Sequence, residues 1–168
     1  MAYSQVTSEP VVRDQGAGGS AEFEESGLVC DLGVRGVWNP QKQLMIDFKV
    51  VNTDAASYVG RSVRSVLESA AAGKKAKHKQ ACADRRADFT PFVCSTDGAI
   101  HREGQHFLRR LSARLSAKWE MPYARAMNFL RTRMSLAILR ATVQCLRGAR
   151  RKFFAMSPDS GAAIALCC

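Results

Sequence analysis

The length, composition and charge of the chain describe one globular domain with a basic surface. Its 168 residues suffice for a single hydrophobic core, and a composition of 46% hydrophobic and 24% charged residues excludes disorder over most of the length. The formal net charge of +10 is concentrated between residues 100 and 152, where thirteen Lys and Arg stand against two Glu, and this favours a polyanionic partner such as DNA or RNA.

The first 27 residues predict an extended segment followed by a loop. Glu9–Arg13 is a short strand candidate, and residues 14–27 are rich in Gly, Ser and Glu, which is typical of a flexible acidic loop. The predicted folded domain therefore spans residues 28–152. Residues 153–168 show no clear periodicity and are expected to form a tail.

Two strands joined by a turn begin the domain. Apolar residues alternate from Leu28 to Trp38 and again from Leu44 to Val51, which is the period of a half-buried strand. Residues 39–43 contain a proline and polar side chains, and they predict the turn between the two strands.

Three polar side chains are expected on one face of this hairpin. Antiparallel pairing around the turn places Asp31 opposite a residue between Asp47 and Val51. Lys49 is two residues from Asp47 and therefore points to the same side. We expect Asp31, Asp47 and Lys49 to lie together.

This trio predicts a metal-dependent phosphodiesterase site. Two neighbouring carboxylates repel each other unless a cation lies between them, and a small number of hard oxygen ligands suits Mg²⁺. Lys49 would stabilise the negative charge that develops on a phosphodiester and lower the pKa of the attacking water. The alternative is an exposed strand edge with an ordinary Asp–Lys ion pair, which contributes little to stability.

The remainder of the chain predicts helices and one further strand. A helix that begins between residues 57 and 62 and ends near Arg86 precedes a short buried strand over residues 89–95. An amphipathic helix carries Phe107 to Trp119, and a longer helix runs from Pro122 to Gly148. The expected fold is α/β, with a small mixed sheet of about four strands, one basic helix and two C-terminal amphipathic helices.

Two sets of side chains on these elements are assigned to the core because of their helical spacing. The inner stripe of the longest helix comprises Met127, Leu130, Met134, Ala137, Ile138, Ala141 and Cys145. The aromatic residues expected in the core are Phe89, Phe107, Trp119, Tyr123 and Phe129.

Lysines and arginines on the helices predict contacts with nucleic-acid phosphates. A solvated helix face explains the same residues, and arginines at a helix C-terminus are favoured by the helix dipole in any case. The basic cluster of Arg147, Arg150, Arg151 and Lys152 also has the composition of a nuclear localisation signal. The predicted nucleic-acid-binding set is Lys74, Lys75, Lys77, Lys79, Arg109, Arg110, Arg114, Arg147 and Arg150.

Cysteine and histidine usage excludes several kinds of site. The six cysteines include no C-x-x-C pair, which argues against a zinc finger and a disulfide scaffold. We expect free thiols in an intracellular, nuclear protein without a membrane partner, since neither a signal peptide nor a long apolar run is present. Cys167–Cys168 lacks the rest of a prenylation motif. His78, His101 and His106 suggest no nucleophilic triad.

The order of these elements resembles the PD-(D/E)XK restriction-like nuclease core. Longer stretches resemble the segment that follows the polymerase in non-LTR-type retroelement reverse transcriptases, over about residues 8 to 150. The resemblance implies a DNA endonuclease that nicks target DNA, with Asp31 and Asp47 as metal ligands and Lys49 as the catalytic cation. Glu9, on the first strand candidate, is a weaker candidate for the same site. The stretches that carry this resemblance are Asp31–Trp38, Ile46–Tyr58, Phe89–Val93 and Cys145–Gly148.

Two departures from that family pattern accompany the resemblance. The nuclease core normally opens with a helix, and none is predicted before Glu9. The polymerase is absent as well, so the chain is expected to be a C-terminal, N-terminally truncated piece whose activity is uncertain. The alternatives are a non-catalytic basic remnant that binds nucleic acid and a helical interaction module whose charge is incidental.

Overall fold

The computed structural model of the protein describes residues 5–13 and 28–154, and its central feature is a β-sheet with helices on both faces. The predicted loop over residues 14–27 and most of the predicted tail lie outside the described residues. The strands are β1 (Val6–Ser8), β2 (Val11–Arg13), β3 (Leu28–Val29), β4 (Leu32–Arg35), β5 (Gln43–Val51) and β6 (Asp88–Ser95). The helices are α1 (Val63–Asp84), α2 (Arg102–Lys118) and α3 (Tyr123–Phe154), with a 3₁₀ turn over Ala56–Tyr58.

Four strands form a mixed sheet in the order β1-β4-β5-β6. The first three are antiparallel to their neighbours, whereas β6 runs parallel to β5 after the chain crosses over through α1. β2 and β3 form a separate antiparallel pair. The predicted α/β fold with a four-stranded mixed sheet is therefore confirmed.

Alternate residues of β5 divide the core between the two faces of the sheet. Leu44 and Ile46 pack with residues of α2, including Phe107, whereas Met45 packs with Ala81 of α1. A third cluster joins the N-terminal half of α1 to the C-terminal parts of β5 and β6. The helices α1 and α2 therefore cover opposite faces, and α3 packs on α2.

The strand predicted over residues 28–38 is interrupted at Asp31, so its predicted continuity is wrong. Two backbone hydrogen bonds to the N-terminal segment accompany the break. Cys30 donates to the Pro10 carbonyl at 3.1 Å, and Glu9 donates to the Asp31 carbonyl at 3.0 Å. Cys30 consequently packs on the α1 side, whereas Leu32, two residues later, packs on the α2 side.

α1 begins at Val63, one residue beyond the predicted range of 57–62, and Ser62 caps its N-terminus. The Ser62 hydroxyl accepts a hydrogen bond from the Ser65 N–H at 3.2 Å and so satisfies one of the free amides at the helix N-terminus. The helix continues through Gly73, which is exposed and meets no neighbouring atom on the side where a Cβ would lie.

The longest helix extends beyond its predicted end. α3 passes Gly148 and continues to Phe154, because one glycine costs a helix only about 1 kcal/mol and good helix formers follow it. At 1.5 Å per residue α3 is about 48 Å long and α2 about 26 Å, so α2 covers only part of α3. Within the described residues, no helix has the length and apolar content of a bilayer span.

This difference in length explains some of the core residues that were predicted wrongly. Met127 and Ile138 of the inner stripe are buried, and Leu130 and Met134 are half-buried. Ala141 and Cys145 lie beyond the reach of α2, and Ala137 lies next to the buried Ile138. The residues that are exposed, against prediction, are Ala137, Ala141, Cys145, Trp119, Tyr123 and Phe129.

Candidate functional site

Asp31 lies opposite Asp47 where β4 and β5 separate. The ladder pairs Leu32 with Ile46 as its last rung, so the same register continues to Asp31 and Asp47. The carboxylate of Asp31 then accepts the backbone N–H of Phe48 through Oδ2. The exposed Asp31 side chain thus provides the acceptor that a backbone carbonyl would have provided if β4 had continued alongside β5.

Asp47 is a buried carboxylate on the face of β5 that α1 covers. Its exposed fraction is 5%, and two side chains of α1 approach its Oδ2 atom. The ammonium of Lys74 contacts this oxygen, and Nε2 of His78 lies 3.2 Å from it. Among the described residues no donor meets Oδ2 with hydrogen-bond geometry, so charge rather than directed bonding stabilises it.

His78 completes a polar stripe on the inner face of α1. Lys74, His78 and Cys82 are four residues apart in sequence and therefore lie one above the other on the helix. His78 is 1% exposed, stacks on the Phe89 ring at 5.3 Å and has its Nδ1 atom 3.5 Å from the Cys30 sulfur. The imidazole therefore connects the carboxylate to a thiol.

Burial decides the charge state of this imidazole. Removal from water lowers the pKa of His78, while the Asp47 carboxylate opposes the shift, and Lys77 and Lys74 reinforce it. The ring is therefore neutral at neutral pH. The positive charge next to Asp47 comes from Lys74.

The two buried thiols beside His78 belong to the same cluster. Cys30 and Cys82 are both less than 2% exposed, and a hydrogen bond between them raises the pKa of Cys30, which stays a thiol. Free thiols were predicted. The four cysteines in the described part of the chain are free, and Cys167–Cys168 lies outside it.

Lys49 lies beside this group without contacting it. It is exposed, two residues beyond Asp47 on β5 and in register with Val93 of β6. Within residues 5–13 and 28–154 it forms no ion pair. Asp31 and Asp47 follow the last pair of the β4–β5 ladder, Leu32 and Ile46, and the lysine that contacts the Asp47 carboxylate is Lys74 rather than Lys49.

Glu9 approaches the same region through its backbone. It stands between β1 and β2 with a φ of 50°, its side chain is exposed, and its N–H donates to the Asp31 carbonyl. Left-handed backbone is costly for a residue with a Cβ, so the hydrogen bond to Asp31 helps to fix this bend.

The predicted nucleic-acid-binding residues lie on helices that cover opposite faces of the sheet and meet where α1 contacts the start of α2. Lys74 pairs with Asp47, and Lys75 pairs with Glu103. Arg110 and Arg114 donate to the carbonyls of Val37 and Gly36 at 3.1 and 3.4 Å. Arg150 lies on α3, and its side chain falls outside the described part. The exposed members of the set are Lys77, Lys79, Arg109, Arg110, Arg114 and Arg147.

A second polar pair involves His101, at the start of α2. Its Nε2 atom lies 3.0 Å from Glu68 Oε2, and Arg102 pairs with the other oxygen of Glu68 at 3.3 Å. The hydrogen bond from His101, assisted by Arg102, lowers the pKa of Glu68. No pattern in the sequence indicates that Glu68 is the partner of His101. The four-residue spacing of Lys74, His78 and Cys82, in contrast, indicates that these three residues share one face of α1.

The donor set around Asp47 fits a hard cation only in part. The carboxylates of Asp31 and Asp47 supply the oxygen atoms that Mg²⁺ prefers, and Asp47 Oδ2 has no directed hydrogen bond. Lys74 already contacts that oxygen, and the described residues contain no group of three or more His, Cys, Asp or Glu suited to a metal ion. Water and phosphate would have to supply the remaining ligands.

The chain matches no protein-family model, no curated protein and no solved structure. The case for its function therefore rests on its own residues, above all on the pairing of Asp31 with Asp47.

Proposed function

We propose that the folded domain is a metal-dependent DNA endonuclease-like module of a retroelement protein, which nicks target DNA. One observation carries the proposal: Asp31 and Asp47 adjoin Leu32 and Ile46, the last pair of the β4–β5 ladder, the Asp31 carboxylate accepts the N–H of Phe48, and Lys49 follows on β5. The Asp31 carboxylate is exposed and the Asp47 carboxylate is buried.

The sheet topology supports this proposal. Asp31 directly precedes β4, Asp47 lies in β5, and a helix and a further strand follow, which matches the order of elements on which the resemblance to the PD-(D/E)XK nuclease core rests. The helix in that crossover is α1, and it delivers Lys74 to Asp47. Topology alone does not define an activity, so the site residues carry more weight.

In the proposed mechanism Asp31 and Asp47 would hold a metal ion. Mg²⁺ bound there would polarise the phosphodiester and lower the pKa of the attacking water. Lys49, which is exposed and unpaired within the described residues, is free to contact a scissile phosphate and to stabilise its growing negative charge. Lys74 balances the charge of Asp47 and competes with the metal ion for Oδ2.

That competition favours a second candidate function, a basic remnant that binds nucleic acid without cutting it. Asp47 already has Lys74 and His78 as neighbours, so the site is stable without a metal ion. Lys77 and Lys79 remain exposed to meet phosphates. Such a remnant would bind DNA in the absence of metal, with a steep dependence on salt concentration.

A plasmid assay separates the two candidates. Supercoiled DNA is incubated with the protein in Mg²⁺, in Mn²⁺ and in EDTA, alongside Asp31→Asn and Asp47→Asn, and Asp54→Asn serves as the matched control because Asp54 is exposed and remote. The nuclease candidate requires metal-dependent nicking that both site variants lose and the control keeps. Binding without any metal-dependent nicking contradicts it and supports the remnant.

A further inference from the structure

A cavity that the proposed site does not use lies on the other side of the sheet. Its volume is about 340 Å³, and it opens between α2, α3 and the loop that joins β6 to α2. This is near the lower end of the range of about 300–1,000 Å³ for small-molecule pockets. Apolar side chains line much of it: Ile100, Leu108, Met127, Met134 and Ile138.

Two arginines line the same cavity without a counter-ion. Arg109 from α2 and Arg131 from α3 are exposed, and within the described residues neither forms an ion pair or a hydrogen bond. No acidic side chain lines the cavity. Two like charges that share one concave surface repel each other, and an anion between them would relieve that repulsion.

We propose that this cavity binds a small amphiphilic anion, a molecule with an apolar body and a carboxylate or phosphate head. The body would contact Met127 and Met134, whose flexible thioethers adapt to ligand shape. The head would receive paired N–H donors from Arg109 and Arg131, because a guanidinium matches both kinds of anion. The Gln105 amide already donates to the Ile100 carbonyl at 2.8 Å and so fixes the loop at the rim.

The lining is mixed, and apolar side chains that share one concavity with two arginines favour a small molecule over a nucleic-acid backbone. Phosphates of a duplex are reached by exposed cations and do not need an apolar concavity behind them. Arg109, predicted above as a phosphate contact, has such a concavity on its inner side. The inference is independent of the proposed nuclease site, since α1 and α2 lie on opposite faces of the sheet.

The test uses the full chain and the fluorescent probe 8-anilinonaphthalene-1-sulfonate, which has an apolar body and one anionic group. Decanoate, decyl phosphate and decanol then compete for the probe, since they share a chain and differ in the head. Three variants accompany the wild type. They are Arg109→Gln combined with Arg131→Gln, Ser135→Trp to fill the cavity from its exposed rim, and Arg140→Gln as a control outside the lining.

The expected result is saturable binding of one probe molecule, weakened at least tenfold in the double variant and in Ser135→Trp but not in Arg140→Gln. At least one of the two anions should displace the probe at a tenfold lower concentration than decanol does. Whichever of decanoate and decyl phosphate displaces the probe at the lower concentration shows whether the cavity prefers a carboxylate or a phosphate head group. The proposal is overturned by no saturable binding, by equal affinity in all variants, by equal displacement with decanol, or by displacement with plasmid DNA alone.

Discussion

The ammonium of Lys74, on α1, contacts the carboxylate of Asp47, in the middle of β5, and this ion pair connects the crossover helix to the sheet at the candidate site. Breaking a fully buried ion pair costs about 3–5 kcal/mol, because the remaining charge loses its partner. Lys74 is a quarter exposed, so water recovers part of that loss.

Replacement of this lysine should therefore destabilise the fold. We expect Lys74→Met to lower the free energy of unfolding by about 1–3 kcal/mol in urea titrations. The adjacent Lys75→Met is the matched control, since its pair with Glu103 is more exposed and should be worth less than about 1 kcal/mol. Equal losses in the two variants would contradict the special role of the Asp47 pair.

Lys49 should behave in the opposite way. Because it is exposed and makes no ion pair among the described residues, Lys49→Ala should change the free energy of unfolding by less than about 0.5 kcal/mol. If it stabilises the transition state, plasmid nicking should fall by about 100-fold or more. Unchanged nicking by a folded Lys49→Ala protein would remove this residue from the mechanism.

Magnesium should stabilise the folded protein through the two aspartates. A ligand that binds only the folded state at about 100 times its Kd adds about 2.7 kcal/mol. The thermal midpoint should therefore rise with Mg²⁺ in the wild type and in Asp54→Asn, but not in Asp31→Asn or Asp47→Asn. A rise of equal size in all four proteins would place the cation elsewhere.

The buried imidazole predicts a dependence of stability on pH. Burial lowers the pKa of His78 below its ordinary value of 6.5, so the unfolded chain binds more protons once the pH falls below that value. The free energy of unfolding should then decrease as the pH falls from about 7 through 6.5 towards the lower folded-state pKa. Denaturation curves at a series of pH values measure this slope.

Two substitutions test whether His78 causes this dependence of the free energy of unfolding on pH. His78→Gln cannot titrate and should flatten the dependence in this window, whereas His106→Gln changes an exposed histidine and should leave it unaltered. The lowered pKa of Glu68 acts in a separate window, since the stability it contributes is lost only as the pH falls through a value below 4.5. An identical slope in His78→Gln and wild type would contradict the assignment.

Local patterns account for the parts of the fold that were predicted correctly. Period-two alternation located β5, and pairing around the turn placed Asp31 opposite Asp47. The break at Asp31 could not be predicted, because it accompanies two backbone hydrogen bonds to a segment distant in sequence. Cys30 donates to the Pro10 carbonyl, and Glu9 donates to the Asp31 carbonyl. The partners of His78 likewise depend on how α1 packs, and helical spacing defines a face without saying what that face meets.

The uncovered half of α3 affects how the protein behaves in solution. Leu136, Leu139 and Val143 are exposed there, while the helix contains arginines and no acidic residue. Mutual repulsion of these arginines keeps such apolar surfaces apart between molecules, and dissolved salt screens that repulsion within about 8–10 Å at ordinary ionic strength. The high-salt buffers commonly chosen to keep basic proteins free of nucleic acid should therefore promote self-association of this one.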